Sequence, residues 1–251
     1  MPMQISISNA IGGASARESF INNYSIEVDG IDAYVNCGTN SSLNFEHTDA
    51  FSFSLWFKRD VNNVFHTLLS KMNPSGNRRG YFFGINSSNV VTVMLRTDTS
   101  FTSQNLTYKS TNTITDTNWH HIVFTYDGLT AQSSGKIYID GVAETVVATG
   151  GGSITTIESS ATTPFLMSAL NTTPLLPANG NLDEVAVFGS ELSASDVTAI
   201  YGTGVPNDIT DLNPISWWRF EEGSGTTAAD SGSASNTGTL DNAVFSTNVP
   251  T

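Results

Sequence analysis

The chain has 251 residues, with 23 acids against 10 bases, a formal net charge of -13 and a single cysteine. One cysteine excludes a disulfide framework and a multi-cysteine zinc cluster. So acidic a chain with so few bases is also excluded as a nucleic-acid groove, because phosphate would be repelled.

The length suits one large β domain or two small ones, and about a third of the residues are Ser, Thr or Asn, which favour strand surfaces and turns over helix interiors. The start, Met1 to Ser8, lacks a basic region followed by an apolar run. No stretch of about 18 apolar residues occurs, so neither a cleaved leader nor a membrane-inserted segment is expected. From about Tyr24 the chain alternates apolar and polar residues with period two. Phe51, Phe53, Leu55 and Phe57 share one strand face, with Trp56 among polar neighbours on the other. Turn residues at Asn73 to Asn77 precede a short apolar run from Gly80, and Asn86 to Asn89 separate that run from a strand over Val90 to Thr97. Strands are then expected over Trp119 to Asp127 and Lys136 to Asp140. Asp140-Gly141 is a hairpin turn leading into Val142 to Ala148, since both residues tolerate the positive φ of a type I′ turn. Gly150 to Gly152 form another break.

One helix is expected over residues 193–201. Ser193 caps it, Asp196 closes a capping box, and Val197, Ile200 and Tyr201 follow at helical spacing before Gly202 and Gly204. A further strand runs from Ile215 through Trp217, Trp218 and Phe220, followed by a Gly/Ser/Thr/Asn tract from Gly223 to Asn242. The fold class is therefore all-β, an antiparallel sandwich with one short helix.

Several stretches resemble laminin-G-like, concanavalin A-like jelly rolls: Tyr24 to Val35, Phe51 to Lys58, Gly80 to Gly84, and Gly180 to Phe188 with the helix behind it. The most specific is Trp119-His120-His121-Ile122-Val123-Phe124-Thr125-Tyr126-Asp127-Gly128, followed by Ile137-Tyr138-Ile139-Asp140-Gly141. The resemblance implies a two-sheet jelly roll over residues 22–204, with an N-terminal arm over 1–21. Trp218 to Thr226 is similar to a segment that in the family precedes the Asp-Gly strand, yet here it follows the helix. Residues 205–251 are accordingly expected to supply a permuted or swapped strand to the same fold, a truncated second domain being the alternative.

The family hosts lectins, adhesins, enzyme appendages and virion parts, so fold does not settle function. The resemblance implies a structural calcium held by Asp29 beside Gly30 and by Asp183, with Asp32 as a further ligand. The alternative is that Asp29 forms a turn and Asp183 accepts hydrogen bonds at a strand end. Glycan contact is assigned to Trp56, Tyr81 and Trp218, with Phe101 and Trp217 as further candidates; the alternative is that these strand aromatics pack in the core, and of the adjacent Trp217 and Trp218 only one can face away from it. Trp119 is assigned to the core. No Gly-x-Ser-x-Gly elbow, His-Glu-x-x-His helix or clustered carboxylate run occurs. Asp183-Glu184 and Glu221-Glu222 are adjacent pairs whose members point to opposite faces of a regular strand. His120 and His121 alternate likewise and are given structural, hydrogen-bonded roles, and Cys37 that of a small buried hydrophobe. The function expected is non-catalytic. It is either a self-assembling structural protein of a virion or cell surface, with further copies or other surface proteins as partners, or a carbohydrate-binding module of an adhesin or secreted protein.

Overall fold

A computed structural model describes residues 20–72, 79–97, 105–150, 156–157 and 162–251. Of the expectations above, most of the N-terminal arm, the turn at 73–77, Phe101 and the Gly151-Gly152 break lie outside the described residues.

The first strands are Ser25–Asp29 (β1) and Tyr34–Asn36 (β2), followed by the long Phe51–Arg59 (β3). Next come His66–Met72 (β4), Gly80–Ile85 (β5), Val90–Arg96 (β6) and Asn105–Thr113 (β7). Trp119–Tyr126 (β8) and Gly135–Ile139 (β9) lead into Val142–Ala143 (β10) and Val146–Gly150 (β11). Leu166–Met167 (β12) and Asn179–Phe188 (β13) precede the helix Ala194–Tyr201 (α1). The last strands are Ser216–Trp218 (β14), Thr227–Ala228 (β15), Gly238–Asp241 (β16) and Val244–Ser246 (β17).

They form two antiparallel sheets. Sheet I has the order β10-β9-β8-β3-β13-β1-β17, with β14 also on β13, and sheet II has the order β11-β7-β6-β5-β4-β12-β2-β16-β15. The facing sides enclose one core in which Phe51, Phe53, Tyr81, Phe124, Tyr126, Phe165 and Trp218 are buried together with the aliphatic side chains between them. The two-sheet sandwich with one short helix is the architecture expected from the alternation. At Asp140-Gly141 both φ angles are positive, +52° and +75°, as a type I′ turn requires. The helix carries the capping box on Ser193 and Asp196. The second arm of that hairpin differs from expectation: only β10 pairs with β9, and the chain then crosses to sheet II, where β11 pairs with β7.

The segment after the helix joins both sheets. β14 pairs with β13, β16 with β2, and β17 with β1. β1 and β14 lie end to end along the same side of β13, with a register break between Asp183 and Ala186 where they meet. Gly180 is needed just before that break, because its φ is +137° and a Cβ would run into the Lys58 carbonyl.

Sheet I is covered on both faces. Its outer face packs Val123, Tyr138, Ala186, Phe188 and Trp217 against Leu192, Val197 and Ile200 of the helix region and Ile209 of the following loop. The apolar runs of β3, β8 and β13 follow from this double burial. No described helix is long and apolar enough to cross a membrane.

Candidate functional site

The helix explains the placement of the aromatics assigned to glycan contact. Trp56 faces away from the core, as alternation requires, but it is 3% exposed because Tyr201 of the helix stacks on it at 5.8 Å and His121 lies 5.1 Å away. Tyr81 points inward, touches Phe51 and Phe53, and donates its hydroxyl to the Leu43 carbonyl at 2.8 Å. Trp218 is fully buried, stacks on Phe165, and donates its indole N–H to the Asn236 carbonyl. All three are packing residues rather than exposed platforms. Trp119 departs in the other direction: it is half-buried, and its indole donates to Oδ1 of Asn248.

The three aspartates assigned to calcium do not converge. Asp29 Oδ1 accepts the backbone N–H groups of Ile31, Asp32 and Ala33. Partial burial raises its pKa, but these three bonds outweigh that and hold it below the ordinary value. It is a turn former. Asp32 is exposed. Asp183 falls opposite the start of β1, since Ile26 pairs with Leu182 and Asp29 with Asn179. Four residues of strand therefore separate it from Asp29, about 13 Å at the usual rise. Among the described residues no group of three or more His, Cys, Asp or Glu side chains could hold a metal ion. The residues assigned by resemblance do not fit a calcium ion.

Asp183 belongs instead to a buried acid pair. Glu184 has φ of +47° in the register break, so the opposite-face rule for a regular strand fails here. Asp183 Oδ2 accepts from Asn22 Nδ2 at 3.0 Å, while Glu184 accepts from the Trp217 indole at 2.5 Å and from Arg219 Nε at 3.3 Å. Both carboxylates thus lie on the helix side of sheet I. Burial, then the Glu184 charge, pushes Asp183 well above the ordinary carboxylate range. Burial pushes Glu184 up to about 8, although the Arg219 charge and the Trp217 and Arg219 hydrogen bonds pull it back. The guanidinium of Arg219 lies 4.3 Å from the Phe20 ring and 5.1 Å from the Trp217 ring, and it donates to the Ile21 carbonyl. Glu221 Oε1 accepts the backbone N–H groups of Asn23 and Tyr24. The C-terminal segment therefore clamps the start of the described chain over the acid pair.

The histidines act in structure. His121 is fully buried against Ser54 Oγ at 2.8 Å, and burial pushes its pKa down to about 3. His120 contacts Asp140 Oδ2 at 2.7 Å and Asp116 Oδ1 at 3.0 Å.

A concave feature lies on sheet II. On β6, Val91, Val93 and Leu95 enter the core, so Thr92, Met94 and Arg96 face outward. On β7, Leu106 and Tyr108 enter the core, which turns Asn105, Thr107 and Lys109 outward. On β11, Val146 and Ala148 pack inward and Thr149 faces out. Met94 pairs with Thr107 and Thr107 with Thr149, while Arg96 pairs with Asn105. The outward side chains of these three strands line a cleft of about 280 Å³, with Met94 as apolar floor, Thr107 and Thr149 as hydroxyls, Asn105 as amide, and Arg96 and Lys109 as cations. That volume lies near the lower end for small-molecule pockets. The alternation of Val90 to Thr97 already placed Met94 and Arg96 on one face. The pairing with β11, far along the chain, is a tertiary fact.

The family described as the concanavalin A-like lectin/glucanases superfamily, Laminin_G_3, matches residues 29–198. No curated protein matches the chain. Among solved structures, a putative carbohydrate binding protein from Bacteroides ovatus is similar at 13% identity and a TM-score of 0.64, over 91% of this chain and 61% of that one. The chain thus spans about three-fifths of that protein's length. The CBM40 of the Ruminococcus gnavus IT-sialidase is similar at 14% identity and a TM-score of 0.53, over 74% of this chain and 100% of that one. At such identities the likeness shows the fold. With two-thirds of its length matched by the family, this chain belongs to the concanavalin A-like lectin/glucanase superfamily.

Proposed function

We propose that the chain is a carbohydrate-binding, lectin-like module that acts without catalysis, with the sheet II cleft as its binding surface. The observation that carries this reading is the cleft itself: hydroxyl, amide and cationic side chains project from three adjacent strands around an apolar floor. A rigid sheet holds such groups at fixed spacing, so little ordering is needed when ring hydroxyls bind. The carbohydrate-binding descriptions of the two similar structures agree with it. A catalytic reading has less support, because the acid pair Asp183–Glu184 is buried under the Arg219 clamp.

A glycan array with the full chain tests the proposal, followed by the same array with Thr107→Trp, which fills the cleft without entering the core. Binding that is lost in the variant at unchanged Tm is the expected result. An empty array, or undiminished binding by the variant, overturns it.

A second reading is self-association. Edge strands β10 and β11 carry Val142 and Val147, 64% and 51% exposed, and such edges are pairing sites unless blocked. Sedimentation equilibrium showing a strict monomer would remove it. The narrower reading as a virion component has no support in these observations.

A further inference from the structure

Within the carbohydrate-binding reading, on which this step rests, we propose that the cleft takes an acidic sugar, a ring carrying a carboxylate or a sulfate. The chain as a whole has 23 acids and 10 bases. The seven described lining residues reverse that balance: they include Arg96 and Lys109 and no acid. Asp98, the one acid in the 98–104 segment, lies outside the described residues. A cationic patch on so acidic a molecule selects by charge, since neighbouring surface repels anions and the cleft attracts them.

The register adds a geometric argument. Arg96 stands opposite Asn105, and Lys109 stands opposite Thr92. The two cations therefore flank the cleft from opposite ends, separated by four residues of β7 or about 13 Å along the strand. Met94, Thr107 and Thr149 lie between them. One ring, or two, fits that interval, with ring hydroxyls at the threonines and the acid group at one end. Lys109 is exposed and makes no ion pair among the described residues. It is free to follow an anionic substituent, whereas Arg96 is almost fully buried and contributes a fixed charge.

The test is an array of matched pairs, in which uronic-acid, sialylated and sulfated glycans each stand beside the neutral parent. The best pair is then titrated into the isotope-labelled full chain by NMR. The acidic member is expected to bind at least about tenfold tighter than its parent, the gain from one charge-assisted hydrogen bond. Shifted amides should cluster in β6, β7 and β11. Lys109→Gln should remove most of that preference at unchanged Tm. Neutral parents that bind as tightly as their acidic partners overturn this inference and leave the carbohydrate reading standing. An array with no bound glycan overturns both. Acidic glycans whose shifts map away from the cleft also overturn the inference, and carboxylated against sulfated hits identify which acid group is read.

Discussion

Trp217 donates its indole N–H to Oε2 of Glu184 at 2.5 Å, and it reaches that oxygen because Glu184 stands at φ +47° in the bulge of β13. In a regular strand Glu184 would face the core, where nothing could satisfy a carboxylate. The bulge turns it to the helix side, into the gap where β1 and β14 abut. There Trp217, Arg219 and the chain around Phe20 to Tyr24 close over it. A local defect in one strand thus provides the anchor for the start of the described chain and for the strand that follows the helix.

The first prediction concerns pH. Burial raises Glu184 from an ordinary 4.5 to about 8, so between these values the native state holds a proton that the unfolded state has lost. Stability then falls as pH rises through this window. Glu184→Gln keeps an acceptor for Trp217 and cannot ionise. Relative to the variant, the parent protein should lose about 1–3 kcal/mol of unfolding free energy between about pH 5 and about pH 8, measured by urea titration. Parallel pH profiles for the two proteins would refute it.

Arg219→Ala should be costly for a different reason. It removes the Arg219 hydrogen bond to Glu184 and frees the Ile21 carbonyl and the Phe20 ring. A loss of about 2 kcal/mol is expected, with faster hydrogen exchange confined to Asn23 and Tyr24, whose amides donate to Glu221 two residues from Arg219. Uniformly faster exchange across β3 and β8 would show that the clamp is not a local element.

His120 gives the opposite sign to ordinary burial. Burial lowers its pKa, but the hydrogen bonds it donates to Asp140 and Asp116, and their charges, outweigh this and raise it. A raised histidine contributes stability that is fully present below its unfolded value of 6.5 and is lost as pH climbs through the native value. Asp116 is 51% exposed in its side chain, so screening keeps the contribution below about 1 kcal/mol. Asp116→Asn should move the NMR titration midpoint of His120 downward. A midpoint that stays put assigns the shift to Asp140 alone.

Trp218→Ala should act on folding and not on ligand recognition. The indole is fully buried on Phe165 and bonded to Asn236, so truncation should cost about 3–5 kcal/mol. If Trp218→Ala left the chemical denaturation midpoint unchanged, its placement in the core would be wrong.

The alternation of β3, β6 and β8 was legible residue by residue, and so were the Asp140-Gly141 turn and the Ser193–Asp196 cap, because each depends on neighbours within a few positions. The burial of Trp56 was not. Alternation shows that Trp56 leaves the core face of β3, but only the docking of Tyr201 shows that the other face is covered too. Asp183 and Glu184 were misread for a related reason: a bulge appears only once the partners of a strand are known.

The cleft shows the same division. Met94 and Arg96 share a face by period two, which a single strand reveals, and Asn105, Thr107 and Lys109 share one on the next. That Thr149 completes the set depends on β11 crossing from the Asp140-Gly141 hairpin to the opposite sheet. The amino-acid order by itself determined local geometry, strand faces, acidity and family. Tertiary structure alone decided what covers each face and which distant strands adjoin, because those depend on burial of whole surfaces and on long-range hydrogen bonding that no short window contains.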